Sequence, residues 1–258
     1  MALRLDLGGR VAVVTGGTRG VGAGIARAFL SAGAEVVVGA RRPPASPVGA
    51  DGRTAGFAAV DLRDPASVAA FMAGVAARHG RLDVLVNNAG GTPFRMLAGS
   101  DPVRAARVIE LNLTTAVTAS IAAYPHLRAA RGSVVMIGSV SGQRPSPGSA
   151  AYGAAKAGLA HLARSMAVEW APEVRVNTVT LGMVRTEQAH LHYGDEEGVA
   201  AVAATVPMER LATPEEAGSA CVFLASDAAS YATGADLLLH GGGERPAFLA
   251  AATVNRAD

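Results

Sequence analysis

The sequence has one cysteine, one lysine, no long hydrophobic run and no cluster of basic residues, and each scarcity excludes a class of protein. The single cysteine, Cys221, cannot form a disulfide within the chain, which excludes a disulfide-stabilised secreted scaffold and suits the reducing cytosol. Glycine, proline or a charged residue interrupts every apolar run before about 18 residues, so we expect neither a membrane span nor a signal peptide. The arginines are scattered, with Arg41-Arg42 as their longest run, and form no stripe of the kind that binds nucleic acid. We therefore expect a cytoplasmic protein that binds neither nucleic acid nor a membrane.

Lys156 is the one lysine among 23 lysine and arginine residues, so arginine fills every other basic position. Arginine cannot replace lysine where a compact ammonium must lie close to a neighbour. Tyr152 precedes Lys156 by four residues, so on a helix the two side chains share one face with Cβ atoms roughly 5–6 Å apart. An ammonium held beside a phenol can support proton transfer. Chance placement of a single lysine is the alternative.

Short β-branched segments alternate with alanine-rich helical segments along most of the 258 residues. This alternation predicts an α/β fold: a Rossmann-like, doubly wound, seven-stranded parallel sheet with helices on both faces. Strands are predicted at residues 10–15, 35–39, 57–60, 82–86, 133–137, 174–179 and 235–239.

Helices are predicted at about 23–32, from 64 onward, and at about 101–127, 151–170 and 213–225, with caps at Asp64-Pro65 and Thr213-Pro214-Glu215-Glu216. Proline and glycine in residues 43–56 predict a loop there. We expect a single domain over residues 1–258, with a mobile lid at about 183–211 and an unpatterned C-terminal tail at 244–258.

A glycine-rich segment follows the first predicted strand and precedes a predicted helix. Glycines in this context let backbone N–H groups approach a pyrophosphate at the positive end of the helix. The spacing Gly-x3-Gly-x-Gly, with its strand and helix, predicts a dinucleotide-binding loop, and a tight turn alone is the alternative. The residues expected to bind the dinucleotide here are Gly16, Thr18, Arg19, Gly20, Val21 and Gly22.

The second predicted strand ends in Ala40-Arg41-Arg42, where a carboxylate would be expected if the site bound a free ribose 2′-hydroxyl. Planar guanidinium groups at Arg41 and Arg42, together with Arg19 in the glycine loop, suit a 2′-phosphate instead. These residues predict that NADP(H) is preferred over NAD(H). The alternative is that Arg41 and Arg42 only begin a solvated loop.

Polar and small residues also follow later predicted strands. Asp61 and Leu62 follow the third strand, with Asp61 placed to contact an adenine, and Asn87-Asn88-Ala89-Gly90 follows the fourth, where strand ends and a cofactor meet. Asn112 lies within the helix predicted at 101–127; taken alone, it is more typical of a core amide with satisfied hydrogen bonds. Ser139 follows the fifth strand, thirteen residues before Tyr152.

These motifs occur in one order over residues 7 to about 243, and as a set they resemble the short-chain dehydrogenase/reductase family, in its compact single-domain branch. The residues that carry the resemblance are Thr15-Gly16-x3-Gly20-x-Gly22, Asp61, Asn87-Asn88-Ala89-Gly90, Asn112, Ser139, Tyr152-x3-Lys156, Gly234 and Gly241-Gly242. The 3-oxoacyl-(acyl-carrier-protein) reductases are one plausible subclass. The resemblance implies a dinucleotide-binding and catalytic domain that assembles as a homotetramer or homodimer.

The resemblance also implies a role for individual residues. Tyr152 would be the general acid and base, and Lys156 would lower the pKa of Tyr152 and bind the nicotinamide ribose. Ser139 would hydrogen-bond the substrate oxygen, and Asn112 would position a water that connects Lys156 to solvent, which replaces the core interpretation of this asparagine. Further cofactor contacts are implied at Asn88, Ala89, Gly90, Gly182, Val184 and Thr186. Candidate substrate contacts are Ser141, Gln143, Phe94, Met183 and Tyr193.

We thus predict an NADP(H)-dependent oxidoreductase that acts on a small-molecule ketone or secondary alcohol. A catalytically idle NADP(H)-binding sensor or scaffold is the alternative from another class. A metal site at His190 and His192 is a weaker alternative hypothesis, because two histidines on a lid are more often solvated. We therefore assign no metal ligand. Two departures from the family pattern stand near the expected site: Leu181 where many relatives have proline, and His240 where many have aspartate.

Overall fold

The structure, a computed structural model, describes residues 5–253 and is organised around one seven-stranded parallel sheet. The strands are β1 (Val11–Thr15), β2 (Glu35–Ala40), β3 (Gly56–Ala59), β4 (Val84–Asn87), β5 (Ser133–Ser139), β6 (Arg175–Leu181) and β7 (Asp236–Leu239). Their order is β3-β2-β1-β4-β5-β6-β7, with parallel pairing throughout. The predicted fold class is confirmed.

Helices cover both faces of the sheet. They are α1 (Gly20–Ser31), α2 (Pro65–His79), α3 (Pro102–Ile109), α4 (Thr115–Ala130), α5 (Ala150–Trp170), α6 (His190–Tyr193), α7 (Glu196–Thr205), α8 (Pro214–Ala225) and α9 (Ala247–Ala251). Adjacent strand residues point to opposite faces, so Ala12 and Val14 pack with α1 and α8, while Val11 and Val13 pack on the side of α2, α4 and α5. This double burial explains why the central strands are apolar without alternation.

The strand order reverses between β1 and β4, since β2 and β4 flank β1 on opposite sides. In an open parallel sheet, a crevice forms outside the carboxyl ends of the strands at such a reversal. The residues that directly follow β1, β4 and β5 therefore converge there.

Two predicted elements differ in the structure. Residues 43–56 include a two-stranded antiparallel hairpin, Gly49–Ala50 with Arg53–Thr54, rather than only a loop. The hairpin forms because Val48 is buried beside α1 and because Arg53 pairs with Glu35 at 3.1 Å.

The single helix predicted at 101–127 is wrong in detail: α3 and α4 are separated by a π-helical turn, Glu110–Thr114, that contains Asn112. Within this turn the Asn112 amide donates to the Val108 carbonyl at 2.9 Å, and the Thr115 hydroxyl donates to the Leu111 carbonyl at 2.7 Å. Side chains that compete for backbone carbonyls favour such local widening, and π-turns are frequent at functional sites.

The predicted helix caps are confirmed. The Asp64 carboxylate accepts from the Ala66 N–H, and Thr213 and Glu216 form a reciprocal capping box at the start of α8. The tail from residue 244 is not wholly unpatterned, because it contains α9; residues 254–258 of that predicted tail lie outside the described residues. No helix in the described part of the chain has the length and apolarity needed to cross a membrane.

Candidate active site

Tyr152 and Lys156 lie on the first turns of α5, beside the end of β5 that carries Ser139. The Lys156 side chain is buried, donates from Nζ to the Ile137 carbonyl at 2.8 Å, and lies 5.6 Å from the centroid of the Tyr152 ring. Helical spacing of four residues places both side chains on the face directed at β5. The predicted Tyr–Lys pair and Ser139 are therefore brought together at one strand end.

Burial controls the ionisation of this pair. It lowers the pKa of Lys156 to about 8, because a desolvated ammonium is disfavoured. Burial also raises the pKa of the Tyr152 phenol, and a hydrogen bond with Ser139 opposes that rise. The predicted lowering of the Tyr152 pKa by Lys156 is therefore wrong for this structure. Desolvation of the phenol is the largest cause of the raised pKa, and the Lys156 ammonium is directed to the Ile137 carbonyl.

Asn112 is buried and holds the loop that follows β4. Its Oδ1 accepts from the Gly91 N–H at 2.8 Å, and its Nδ2 donates to the Gly91 carbonyl at 2.9 Å. A Cβ added to Gly90 would collide with Asn112 Oδ1 and lie 3.5 Å from Lys156 Nζ. Asn112 is thus a core amide with satisfied hydrogen bonds, as one interpretation held, and Gly90 lies between this amide and the Lys156 ammonium.

The glycine loop is tied to the end of β4 by hydrogen bonds. The Thr15 hydroxyl accepts from the backbone N–H groups of Asn88 and Ala89, at 3.0 and 3.1 Å, and the Asn88 side-chain amide donates to the Thr15 carbonyl at 2.9 Å. A Cβ on Gly22 would collide with the Asn88 amide, so only glycine allows this close approach. Asn88 therefore holds the glycine loop in register with the strand end.

The positive end of α1 faces the segment that follows β6. Arg19 occupies the N-cap position without a side-chain cap, and no acidic residue stands in the first turn. The Gly20 N–H donates to a Glu187 carboxylate oxygen at 3.0 Å, and Thr186 lies 3.6 Å from the position of a Cβ added to Gly20. A carboxylate already binds at this helix end, so the residues present fit the phosphates of a dinucleotide.

Gly182 and Val184, also predicted as cofactor residues, follow the carboxyl end of β6, at the same edge of the sheet. Gly182 donates its N–H to the Leu239 carbonyl at 2.9 Å, and Val184 pairs with Ala212 in an isolated bridge. Leu181 is buried as the last residue of β6, so the strand continues at the position where many relatives have proline.

Arg19, Arg41 and Arg42 are exposed, and none of the three forms an ion pair or a side-chain hydrogen bond within residues 5–253. Arg41 and Arg42 follow β2, and Asp61 and Leu62 follow the neighbouring β3. The Asp61 carboxylate accepts from the Arg63 N–H at 3.1 Å, and Leu62 is buried. The guanidinium groups are thus available at the crevice end where an adenosine ribose would lie.

A cavity of about 300 Å³ opens beside the catalytic strand end. It is lined by Val140, Gln143, Arg144, Gly182, Met183, His240, Gly243 and Glu244. Of the predicted substrate residues, Gln143 and Met183 line this cavity, whereas Ser141 lines a neighbouring cavity of about 420 Å³.

Phe94 and Tyr193, the two aromatic candidates for substrate contact, line neither of these cavities. The Phe94 side chain is 74% exposed and packs against Gly148. Tyr193 is half-buried, and burial raises the pKa of its phenol; the Glu244 charge raises it further and the Arg144 charge opposes the rise.

Sequence reasoning missed Arg144, His240 and Glu244 as lining residues. Arg144 could have been found from its position in the loop that follows Ser139, and His240 from its departure from the aspartate that is common in relatives. Nothing in the sequence pointed to Glu244. His190 and His192 are exposed on α6, and the described residues contain no group of three or more His, Cys, Asp or Glu positioned to hold a metal ion.

Comparisons with known proteins agree on one family. A family model described as enoyl-(acyl carrier protein) reductase matches residues 16–244. The cis-4-hydroxycyclohexanecarboxylate dehydrogenase of Sinomonas cyclohexanicum is 43% identical over 90% of this chain and 96% of its own. The 3-oxoacyl-[acyl-carrier-protein] reductase FabG of Salmonella typhimurium is 36% identical over 91% of this chain and 97% of its own. A solved Pseudomonas aeruginosa RhlG/NADP active-site complex superimposes with a TM-score of 0.84 at 30% identity, covering 94% of this chain and 99% of that one.

Proposed function

Since the chain belongs to the short-chain dehydrogenase/reductase family and is an oxidoreductase of that family, we propose that it interconverts a ketone and a secondary alcohol with NADP(H). The observation that carries this proposal is the convergence of Tyr152, Lys156 and Ser139 beside the glycine loop, at the crevice of the sheet. A catalytically idle sensor or scaffold would have no need of this arrangement.

In the proposed reaction, the chemistry that a bound nicotinamide would supply is transfer of hydride to the carbonyl carbon or removal of hydride from the alcohol. Tyr152 gives its phenolic proton to the carbonyl oxygen during reduction and takes the hydroxyl proton during oxidation. Its raised pKa keeps the phenol protonated near neutral pH, which suits the reductive direction. Ser139 holds the substrate oxygen, Lys156 binds the nicotinamide ribose, and Asn112 holds the loop beside Lys156.

The positions of the remaining residues in the fold suggest which part of the dinucleotide each would contact. Backbone groups of the glycine loop and the first turn of α1 would bind the pyrophosphate with Thr186. Asn88, Ala89, Gly90, Gly182 and Val184 would border the nicotinamide half, and Asp61 with Leu62 the adenine.

Tyr152→Phe tests the assignment of the acid. Loss of general acid–base catalysis should lower kcat by about 100-fold or more. The Kd for NADPH should change little, because the ring and its packing are kept. Tyr231→Phe, at a fully exposed tyrosine, is the matched control. Near-normal turnover of Tyr152→Phe would overturn the assigned mechanism, and tight NADPH binding without turnover of any ketone by the unmodified protein would favour the sensor.

Arg41 supports a preference for NADP(H) over NAD(H), as does the structural likeness to a complex described as containing NADP. Loss of one charge-assisted hydrogen bond to a 2′-phosphate should lower kcat/KM for NADPH by about 10- to 100-fold in Arg41→Ala and leave NADH little changed. Arg53→Ala, which removes an arginine paired with Glu35 at the opposite end of β2, is the control. A higher kcat/KM with NADH in the unmodified protein would contradict the proposed preference.

The names of relatives suggest candidate substrates. One acts on a hydroxylated ring carboxylate and another on 3-oxoacyl thioesters, and both classes present a carbonyl or secondary alcohol. We further propose a cytoplasmic homotetramer or homodimer. A spectroscopic assay of ketones with NADPH and of alcohols with NADP⁺ is the first experiment.

A further inference from the structure

An ion pair stands in the wall of the 300 Å³ cavity. Arg144 lies in the loop after Ser139, where its N–H donates to the Val140 carbonyl at 3.1 Å, and its guanidinium pairs with the Glu244 carboxylate. Of the described residues that line this cavity, Arg144 alone is a lysine or arginine. Gln143, the neighbouring polar residue, already donates to Asp236 at 3.1 Å.

The pair is close to the reacting groups. Val140, which directly follows Ser139, lines the cavity, and so does Gly182, which follows Leu181, the residue that pairs with Ser139 between β5 and β6. Tyr152 is hydrogen-bonded to Ser139, so the ion pair lines a cavity that begins beside these two residues. A substrate whose carbonyl oxygen is held by Ser139 would extend its other end into this cavity, toward Arg144.

Glu244 is suited to exchange with a ligand. The side chains of Arg144 and Glu244 are 41% and 34% exposed, and an ion pair with this much solvent contact contributes little to stability. The planar fork of the Arg144 guanidinium can instead donate to the carboxylate of a ligand, in bidentate geometry, at small cost. The cavity volume of about 300 Å³ corresponds to a small-molecule site.

We propose that Arg144 determines specificity by binding a carboxylate of the substrate, which replaces Glu244 as its counterion. The substrate class is then a small oxo acid or hydroxy acid whose carbonyl or hydroxyl group is separate from its carboxylate. This inference rests on the proposed function. In the reductive direction, NADPH would be the source of the hydride for the ketone carbon and would leave as NADP⁺, Tyr152 would give a proton to the ketone oxygen, and the carboxylate would be unchanged.

The test uses two matched pairs of ketones with NADPH: 4-oxocyclohexanecarboxylate and 4-oxopentanoate, each against its methyl ester. We expect the unmodified protein to favour the acid over the ester in kcat/KM by about tenfold or more. Arg144→Gln should reduce that ratio to about one through KM, with kcat changed less than about threefold, and Arg144→Lys should restore part of it. Glu244→Gln, on the exposed C-terminal segment, should lower KM for the acids and leave the esters unchanged.

Arg245→Gln is the matched control, since Arg245 follows Glu244 directly, pairs with Glu209 at 3.1 Å and does not line the cavity. Calorimetry of cyclohexanecarboxylate with the protein saturated in NADP⁺ adds a measurement that needs no turnover, and Arg144→Gln should abolish this binding. Turnover of ketones without acid preference, or an equal loss for acids and esters in Arg144→Gln, overturns this inference and leaves the proposed function intact. Binding of NADPH without turnover of any ketone overturns the proposed function, and absence of cyclohexanecarboxylate binding then overturns this inference as well.

Discussion

Lys156 combines two conflicting requirements, because the proposed chemistry uses a positive charge while the side chain is buried. The Ile137 carbonyl supplies one hydrogen bond to the ammonium, yet desolvation still lowers the pKa of Lys156 from 10.5 to about 8. Below about pH 8, the folded state therefore holds a charged but poorly solvated ammonium, which lowers its stability. Such strain is common at functional sites, where position matters more than stability.

The lowered pKa of Lys156 predicts that the free energy of unfolding depends on pH. Between the folded pKa of about 8 and the ordinary value of 10.5, the unfolded state binds more protons at Lys156, so stability rises with pH. From about pH 7 to pH 10, the free energy of unfolding should rise by roughly 2 kcal/mol relative to Lys156→Met, which lacks the titrating group. Urea unfolding of both proteins at matched pH measures this difference. A difference that stays flat with pH would show that Lys156 titrates normally.

The residue pattern predicted the part of the site that depends on spacing within one element. Tyr152 and Lys156 share a helical face, and Ser139 follows a strand, so local periodicity is enough to bring them together. The Arg144–Glu244 pair could not be predicted, because these residues lie far apart in the sequence and meet only where the C-terminal segment crosses the cavity. The direction of the Tyr152 pKa shift could not be predicted from the sequence either, because it depends on burial of the phenol.

The position of the glycine loop depends on the packing of α1 against α8. A Cβ on Gly24 would overlap Pro214, and a Cβ on Gly218 would lie 2.5 Å from the Ala28 Cβ. These glycines allow the two helices to approach closely, and α1 in turn presents its N-terminal turn to the crevice. A change at this contact should therefore act on the dinucleotide site through α1.

Gly24→Ala tests that contact. Alanine is the better helix former, but overpacking should dominate and lower the free energy of unfolding by about 1–3 kcal/mol. Gly74→Ala in α2 is the matched control, because nothing lies within 4 Å of the added Cβ, and it should raise stability by about 0.5–1 kcal/mol. Denaturant unfolding compares the two. Equal effects from both substitutions would contradict close packing of α1 on α8.

Elements with strong local signals were predictable, and those shaped by tertiary contacts were not. The box of Thr213 and Glu216 marks the start of α8 from sequence alone. The π-turn at Glu110–Thr114 contains Asn112, whose amide binds Gly91 in a distant loop, and the hairpin at 49–54 depends on burial of Val48 beside α1. Neither contact is visible in helical or strand periodicity.

At the scale of the whole molecule, large apolar side chains are exposed on the outer helices. Ile121 on α4 is 65% exposed and Val168 on α5 is 82% exposed. Both helices pack on the sheet through their other faces, in the core cluster that contains Ala119 and Leu159. Exposed apolar surface of this kind is a frequent mark of an interface, and a second copy of the chain is the expected partner.

We therefore expect the protein to be a homotetramer or homodimer in solution, and Ile121→Asp combined with Val168→Asp should shift it toward the monomer. Burying two carboxylates between apolar helix faces is unfavourable enough to outweigh the contact they replace. Tyr231→Asp, at a fully exposed aromatic residue outside α4 and α5, should leave the assembly unchanged. Size-exclusion chromatography with light scattering measures the mass, and circular dichroism checks that each variant is folded. A folded double variant with the mass of the unmodified assembly would place the interface elsewhere on the surface.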